Sequence, residues 1–185
     1  YHTIGRRGNF VNKLFISENM GFKISWKTIT IGLFGDGEIP QVLTCDDVTE
    51  YLESLLINIH EQTDAVVTLL CEKDDHDNLK KLLRKLAKAD LSNEALQKRK
   101  WRACLLKIMI DHISNDCLQG LLELMEFWVS MGRPDDCPLT FPSSGNEKSV
   151  RDYFSQASFE LNLAKNKEWL EREIQSIVKA ESADF

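Results

Sequence analysis

The sequence predicts an α+β fold, predominantly α, in which a small N-terminal β portion packs on a five- to seven-helix bundle. Three observations carry that expectation. Apolar residues alternate with polar ones within residues 9–34. From Thr44 onward they recur with a helical period. Residues 103–113 are apolar almost all round, as in a helix enclosed by other helices.

In the first segment Phe22, Ile24 and Trp26 alternate with polar residues, and Ile29, Ile31 and Leu33 continue with opposite parity, as a bulge or a crossed-over strand requires. Residues 9–17, with Phe10, Val11, Leu14, Phe15 and Ile16, supply a partner strand, and 18–21 the turn. So few strands make no stable sheet alone. They lie on the helices or complete a sheet begun before Tyr1. Gly35, Asp36, Gly37 and Pro40 close this part, giving a β-rich portion over 1–43 and a helical portion over 44–185 of one domain.

The first helix starts at Thr44, whose hydroxyl and Asp47 suit a cap, and carries Val48, Leu52, Leu55, Leu56 and Ile59 as one stripe. A short helix follows over 64–71. A third, over 76–89, sets Leu79, Leu82, Leu83 and Leu86 against an opposite arc of Lys80, Lys81, Arg84, Lys85 and Lys88. Ser92 is the expected N-cap of the central helix. Asn115 or Asp116 starts the next, which Gly132 and Pro134 end. Residues 148–181 read as one long helix or two broken near Asn166. The prolines of 132–147 mark an irregular connection longer than helices normally need.

With 185 residues, 43% of them hydrophobic and 28% charged, the chain has the composition of a globular domain with a real core. Collagen, a disordered tail and a membrane-spanning protein are excluded. The chain opens on Tyr1 with no apolar signal core behind it and reads as a piece of a longer polypeptide. Cys45, Cys71, Cys104, Cys117 and Cys137 form no Cys-x-x-Cys or Cys/His ligand pair. An odd number set among apolar neighbours suits reduced thiols in a cytoplasmic or nuclear protein.

No metal or cofactor is expected. The run Asp74, Asp75, His76, Asp77 is the nearest thing to a ligand cluster, but the slots that a calcium loop fills with Gly and Glu hold Lys80 and Leu86. Acids opening a helix explain it. Cys104 and His112 would lie about 12 Å apart along one helix at 1.5 Å per residue, out of hydrogen-bonding reach. His60 or His112 meeting another thiol through folding is the weak route to a cysteine/histidine enzyme. The phosphate-binding and nucleophile-elbow motifs are absent, and Gly32, Gly35 and Gly37 read as a turn.

The formal charge of −6 is segregated: residues 35–78 are strongly acidic and 79–107 strongly basic. Lys80, Lys81, Arg84, Lys85 and Lys88 precede Lys98, Arg99, Lys100 and Arg102 on the next helix, and antiparallel packing would bring both sets to one side. The sequence therefore predicts a non-enzymatic regulatory or scaffolding domain whose basic helical face meets a protein partner, possibly one with an acidic surface. The alternative is a nucleic-acid-binding domain of a larger protein; against it stand the overall acidity and the scarcity of stacking aromatics, with Trp101 alone nearby. Arg133, Leu139 and Phe141 in the 132–147 connection form a possible second binding loop or a strap docked on the bundle. Trp26 and Trp128 are expected to anchor the bundle, while Trp169 suits the core edge or an interface equally.

Overall fold

A computed structural model of the protein describes residues 12–58, 63–139 and 150–183, and every regular element among them is a helix. The expected β portion is instead α1 (Lys13–Asn19) and α2 (Trp26–Phe34), so the fold is all-α rather than α+β. Local chemistry starts both helices. The Asn12 side chain accepts from the Leu14 N–H. Ser25 Oγ accepts from the Thr28 N–H at 3.2 Å, and Thr28 Oγ1 accepts from the Ser25 N–H at 3.1 Å, a reciprocal capping box. α2 buries Thr28, Ile29, Ile31, Gly32 and Leu33. Apolar residues on so many successive positions imitate two strands of opposite parity. The turn expected at 18–21 is present, with Gly21 at φ +84°, but it joins α1 to the approach of α2.

α3 (Cys45–Asn58), α4 (Thr63–Cys71) and α5 (His76–Ala89) lie where the helical period puts them. Thr44 and Asp47 cap α3 reciprocally: Asp47 Oδ2 accepts from the Thr44 N–H at 2.7 Å, and Thr44 Oγ1 accepts from the Asp47 N–H at 3.1 Å. α6 (Glu94–His112) takes Asn93 rather than Ser92 as its N-cap, and α7 (Cys117–Ser130) takes Asp116. After the short α8 (Val150–Tyr153), α9 (Gln156–Ala183) runs through Asn166 without a break. Asn166 is tolerated there because its amide nitrogen donates to the Asn162 carbonyl at 2.8 Å and its oxygen accepts from Trp128 Nε1 at 2.6 Å.

α6 is the central element, packed against α1, α2 and α9, while α2 also meets α3 and α5, and α9 meets α7. Its burial falls earlier than 103–113: Leu96, Gln97, Lys100, Trp101, Ala103, Cys104 and Leu106 are enclosed, whereas 107–113 are half-buried or exposed. Trp101 and Trp128 are fully buried, and Trp169 is buried at a ring distance of 5.1 Å from Trp128. Trp26 is only partly buried.

Two polar residues, Asp90 and Ser92, fix the corner between α5 and α6 to the start of α2. Asp90 accepts from the Ser92 N–H at 2.8 Å and from the Lys27 N–H at 2.9 Å, and Ser92 Oγ lies 3.1 Å from Ser25 Oγ. Burial alone would raise the Asp90 pKa, but these donors outweigh it and hold the carboxyl below its ordinary value. Stability from a depressed carboxylate is present above its unfolded value, about 3.9, and is lost as pH falls through the folded value. Asp90→Asn is therefore expected to lower stability by about 1–2 kcal/mol at pH 6, with the gap to the native chain closing as the pH is taken below 4. Urea midpoints of both proteins across that range test it; a gap that stays constant with pH would contradict the assignment.

Candidate interaction surface

The two basic groups that the sequence places side by side have different fates. α5 buries Leu79, Leu83 and Ala87 and begins at Asp75, whose carboxylate accepts from the Asn78 N–H at 3.0 Å. The acidic run is thus a helix start. His76 Nε2 stands 3.9 Å from Asp46 Oδ1, and no group of three or more metal-ligating side chains occurs among the described residues. On the outer arc Lys81, Arg84, Lys85 and Lys88 are exposed and Lys80 is half-buried. Arg84 lies over the Phe34 ring, 4.0 Å from its centroid, which fixes the guanidinium against α2 while leaving it accessible. Among the described residues no ion pair engages Lys80, Lys81, Lys85 or Lys88.

Lys98, Arg99 and Lys100 of α6 are engaged by acids of the same chain. Lys98 pairs with Asp36 at 2.9 Å, Glu38 at 3.1 Å and Glu94 at 3.5 Å, and its hydrogen bonds to Asp36 and Glu38 raise its pKa. Asp36 in turn is held below its ordinary pKa, because Lys98 and the N–H groups of Ile39 and Glu38 outweigh the opposite pull of burial. Arg99 forms two bonds to the Glu173 carboxylate, at 2.7 and 2.8 Å, and that contact raises its pKa. Arg102 is half-buried with Nε enclosed and without a hydrogen-bond partner.

Lys100 is the most enclosed of the series. Its ammonium donates to Glu181 Oε1 at 2.6 Å, Gln97 Oε1 at 2.6 Å and the Lys23 carbonyl at 2.7 Å. The Lys100 side chain is 2% exposed and that of Glu181 7%. Glu181 also accepts from the Lys23 N–H, tying the far end of α9 to the stretch before α2. α5 and α6 each pack on α2, and of the two only α5 presents an open row of cations. The Phe34 platform under Arg84 was hidden in sequence because nothing along the chain pairs residue 34 with residue 84.

An open depression of about 360 Å³ lies beside the Lys98 cluster, lined by residues 34–41 and Ser130. Its acids, Asp36 and Glu38, are those already paired with Lys98. Three of the thiols are poor nucleophiles. Burial raises the pKa of Cys45 and Cys137 and pushes Cys104 up to about 11. Cys104 contacts the Lys13 carbonyl at 3.6 Å, and His112 Nδ1 lies 2.8 Å from the Ile108 carbonyl. His60 lies outside the described residues.

In the connection after α7, Leu139 is buried in the core and Asp136 accepts from Trp169 Nε1 at 2.9 Å. This described part is a strap on the bundle, and its bond to Trp169 places that indole in the core. Arg133 is exposed in the left-handed region at φ +49°, its N–H donating to the Trp128 carbonyl at 2.9 Å. Phe141, the third residue expected in a binding loop, lies outside the described residues.

Among the described residues no helix is long and apolar enough to cross a membrane. No curated protein and no solved structure matches the chain. A protein-family model does match, over residues 14–174, with the description "Uncharacterized protein conserved in bacteria (DUF2247)". Conservation in bacteria, which have no nucleus, leaves the nuclear alternative without support. Since the match takes in α2 through α8 whole and reaches well into α9, the chain belongs to the DUF2247 family of bacterial proteins.

Proposed function

We propose that the protein is a non-enzymatic interaction domain, regulatory or scaffolding, that docks an acidic partner protein on the outer face of α5. The observation that carries this reading is the row Lys81, Arg84, Lys85 and Lys88, exposed on a helix whose inner face is locked in the core. The helix holds the row in register, Arg84 is braced on Phe34, and the cations steer an acidic surface toward them. Relative to the two-helix face expected from sequence, the docking face contracts to α5, because Lys98 and Arg99 already have carboxylate partners. The raised thiol pKa values favour a non-catalytic role. Five unpaired cysteines suit the reducing bacterial cytoplasm as its compartment.

Lys81→Glu combined with Lys85→Glu is the discriminating variant, since neither side chain holds the fold and Arg84 keeps its contact with Phe34. Partner capture by the tagged protein from nuclease-treated bacterial lysate is expected to be lost, with the melting temperature within a few degrees of native. Capture by the native protein should weaken steeply as salt rises. Undiminished capture by the variant removes α5 as the site. Capture that vanishes on nuclease treatment, with a salt-sensitive gel shift of RNA or DNA, assigns the same cations to phosphates instead.

A further inference from the structure

Leu91 stands at the corner between α5 and α6 and is 97% exposed, more than any other large hydrophobic residue among the described residues. Single apolar residues on a surface are ordinary, but this one is held in place. The Lys27 N–H donates to Asp90 at 2.9 Å, Ser92 Oγ lies 3.1 Å from Ser25 Oγ, and the Lys27 ammonium donates to the Ser92 carbonyl at 2.6 Å. The residues on either side of Leu91 are thus tied to the start of α2 while its own side chain is left in water. Cations stand beside it. Lys88, three residues before Leu91, is exposed, and the Lys27 ammonium is fixed on the residue that follows Leu91. Among the described residues no ion pair engages either one. The carboxylate of Asp90 is taken up by the N–H groups of Lys27 and Ser92. Between Ser25 and Lys27 lies Trp26, half-buried.

Charge is graded along α5. Asp74, Asp75 and Asp77 are exposed at its start, and Arg84, Lys85 and Lys88 toward its end. At 1.5 Å per residue the two ends lie about 20 Å apart, more than two Debye lengths at physiological ionic strength. A negatively charged plane attracts the corner and repels the opposite end, so the molecule meets such a plane with Leu91 foremost. The chain as a whole carries −6, so the attraction rests on this local field. We infer that the α5–α6 corner docks on an anionic lipid surface, Leu91 entering the acyl boundary and Lys27 and Lys88 meeting headgroup phosphates. A bilayer offers negative charge with an apolar layer directly beneath it, and it needs no pocket shaped to the side chain. One leucine with a few lysines makes a weak anchor, and the docking is accordingly reversible and sensitive to salt. Because the corner lies at the end of α5, the outer face of that helix stays open to the side for the acidic protein. The lipid contact goes beyond that reading and does not rest on it.

Vesicles of phosphatidylglycerol and phosphatidylcholine in equal parts are expected to carry the native protein down on sedimentation at low salt and progressively less as salt rises, while vesicles of phosphatidylcholine alone carry down little. Leu91→Ser should weaken binding to the anionic vesicles roughly tenfold, and Leu91→Trp should strengthen it with a blue shift of the emission on those vesicles only. Both variants should melt like the native chain, because residue 91 is exposed. Native protein that stays in the supernatant with anionic vesicles overturns the inference, and so does a Leu91→Ser variant that binds them as the native chain does. Capture of the protein partner is a separate readout and should survive Leu91→Ser. If Leu91→Ser abolished that capture while the native chain ignored the vesicles, Leu91 would belong to a pocket on the protein partner instead. Undiminished capture by Lys81→Glu with Lys85→Glu, alongside loss of vesicle binding by Leu91→Ser, would strike the α5 reading and leave the lipid contact standing.

Discussion

Glu181→Gln is expected to destabilise the protein by about 3–5 kcal/mol, the usual cost of removing one partner from a buried ion pair. Lys100 would keep its charge in a site where it is almost fully enclosed, facing Gln97, the Lys23 carbonyl and a neutral amide. Burial already draws the Lys100 pKa below its ordinary value, and Glu181 is the largest influence holding it up. With that influence gone the folded pKa falls further. Between the folded value and the unfolded value of about 10.4 the unfolded chain binds more protons, so the variant should regain stability as pH rises through that window. Lys100→Met is expected to cost less than Glu181→Gln, because the carboxylate that it strands keeps the Lys23 N–H as a donor, and adding Glu181→Leu to it should recover much of the remainder. Chemical denaturation at pH 7 and pH 9.5 tests both parts. A loss below about 1 kcal/mol at pH 7 would show that water reaches the pair.

Gly32→Ala is the second large effect, and its sign is the informative part. In an ordinary helix interior, alanine in place of glycine stabilises by roughly 0.5–1 kcal/mol. At Gly32 the added methyl would meet the Trp101 ring, which is closer than any real side chain tolerates, and Leu43 Cδ1 at 2.8 Å. Trp101 has nowhere to move, because it is fully buried and its Nε1 donates to the Thr28 carbonyl at 2.7 Å. Overpacking of this kind costs typically 1–3 kcal/mol and outweighs the propensity gain. A net loss of about 2 kcal/mol, near 5 °C in melting temperature for a chain of this size, is expected, together with a changed Trp101 environment in near-ultraviolet circular dichroism. Gly32→Val should be worse. A variant as stable as the native protein would mean that α2 and α6 can separate at this point.

Helices with one wet face were legible from the amino acids alone. α3 and α5 announce themselves by a single apolar arc and by caps at Thr44 and Asp75. α2 was not legible as a helix, because a helix covered on several sides loses the contrast that defines a period. Its start was written in Ser25 and Thr28, a capping pair one must weigh against the strand-like run that follows it. The basic surface was half legible. Sequence places Lys98, Arg99 and Lys100 next to one another, but it does not place Glu173, 74 residues beyond Arg99, against them. Nor does it show that Lys100 turns into the core while its neighbours stay near the surface. Charge along a chain reports a surface only after the pairing of helices has decided which charges remain outside.

The tie between Glu181 and Lys23 spans 158 residues, and it has a consequence for how the protein is made. Synthesis proceeds from α1 toward α9, and Lys100 emerges from the ribosome well before its carboxylate partner exists. Until residue 181 is available, closing α6 onto α1 and α2 would bury the ammonium with the Gln97 amide and the Lys23 carbonyl as partners but with no counter-charge. The bundle around α6 is therefore expected to complete only after α9 has been delivered.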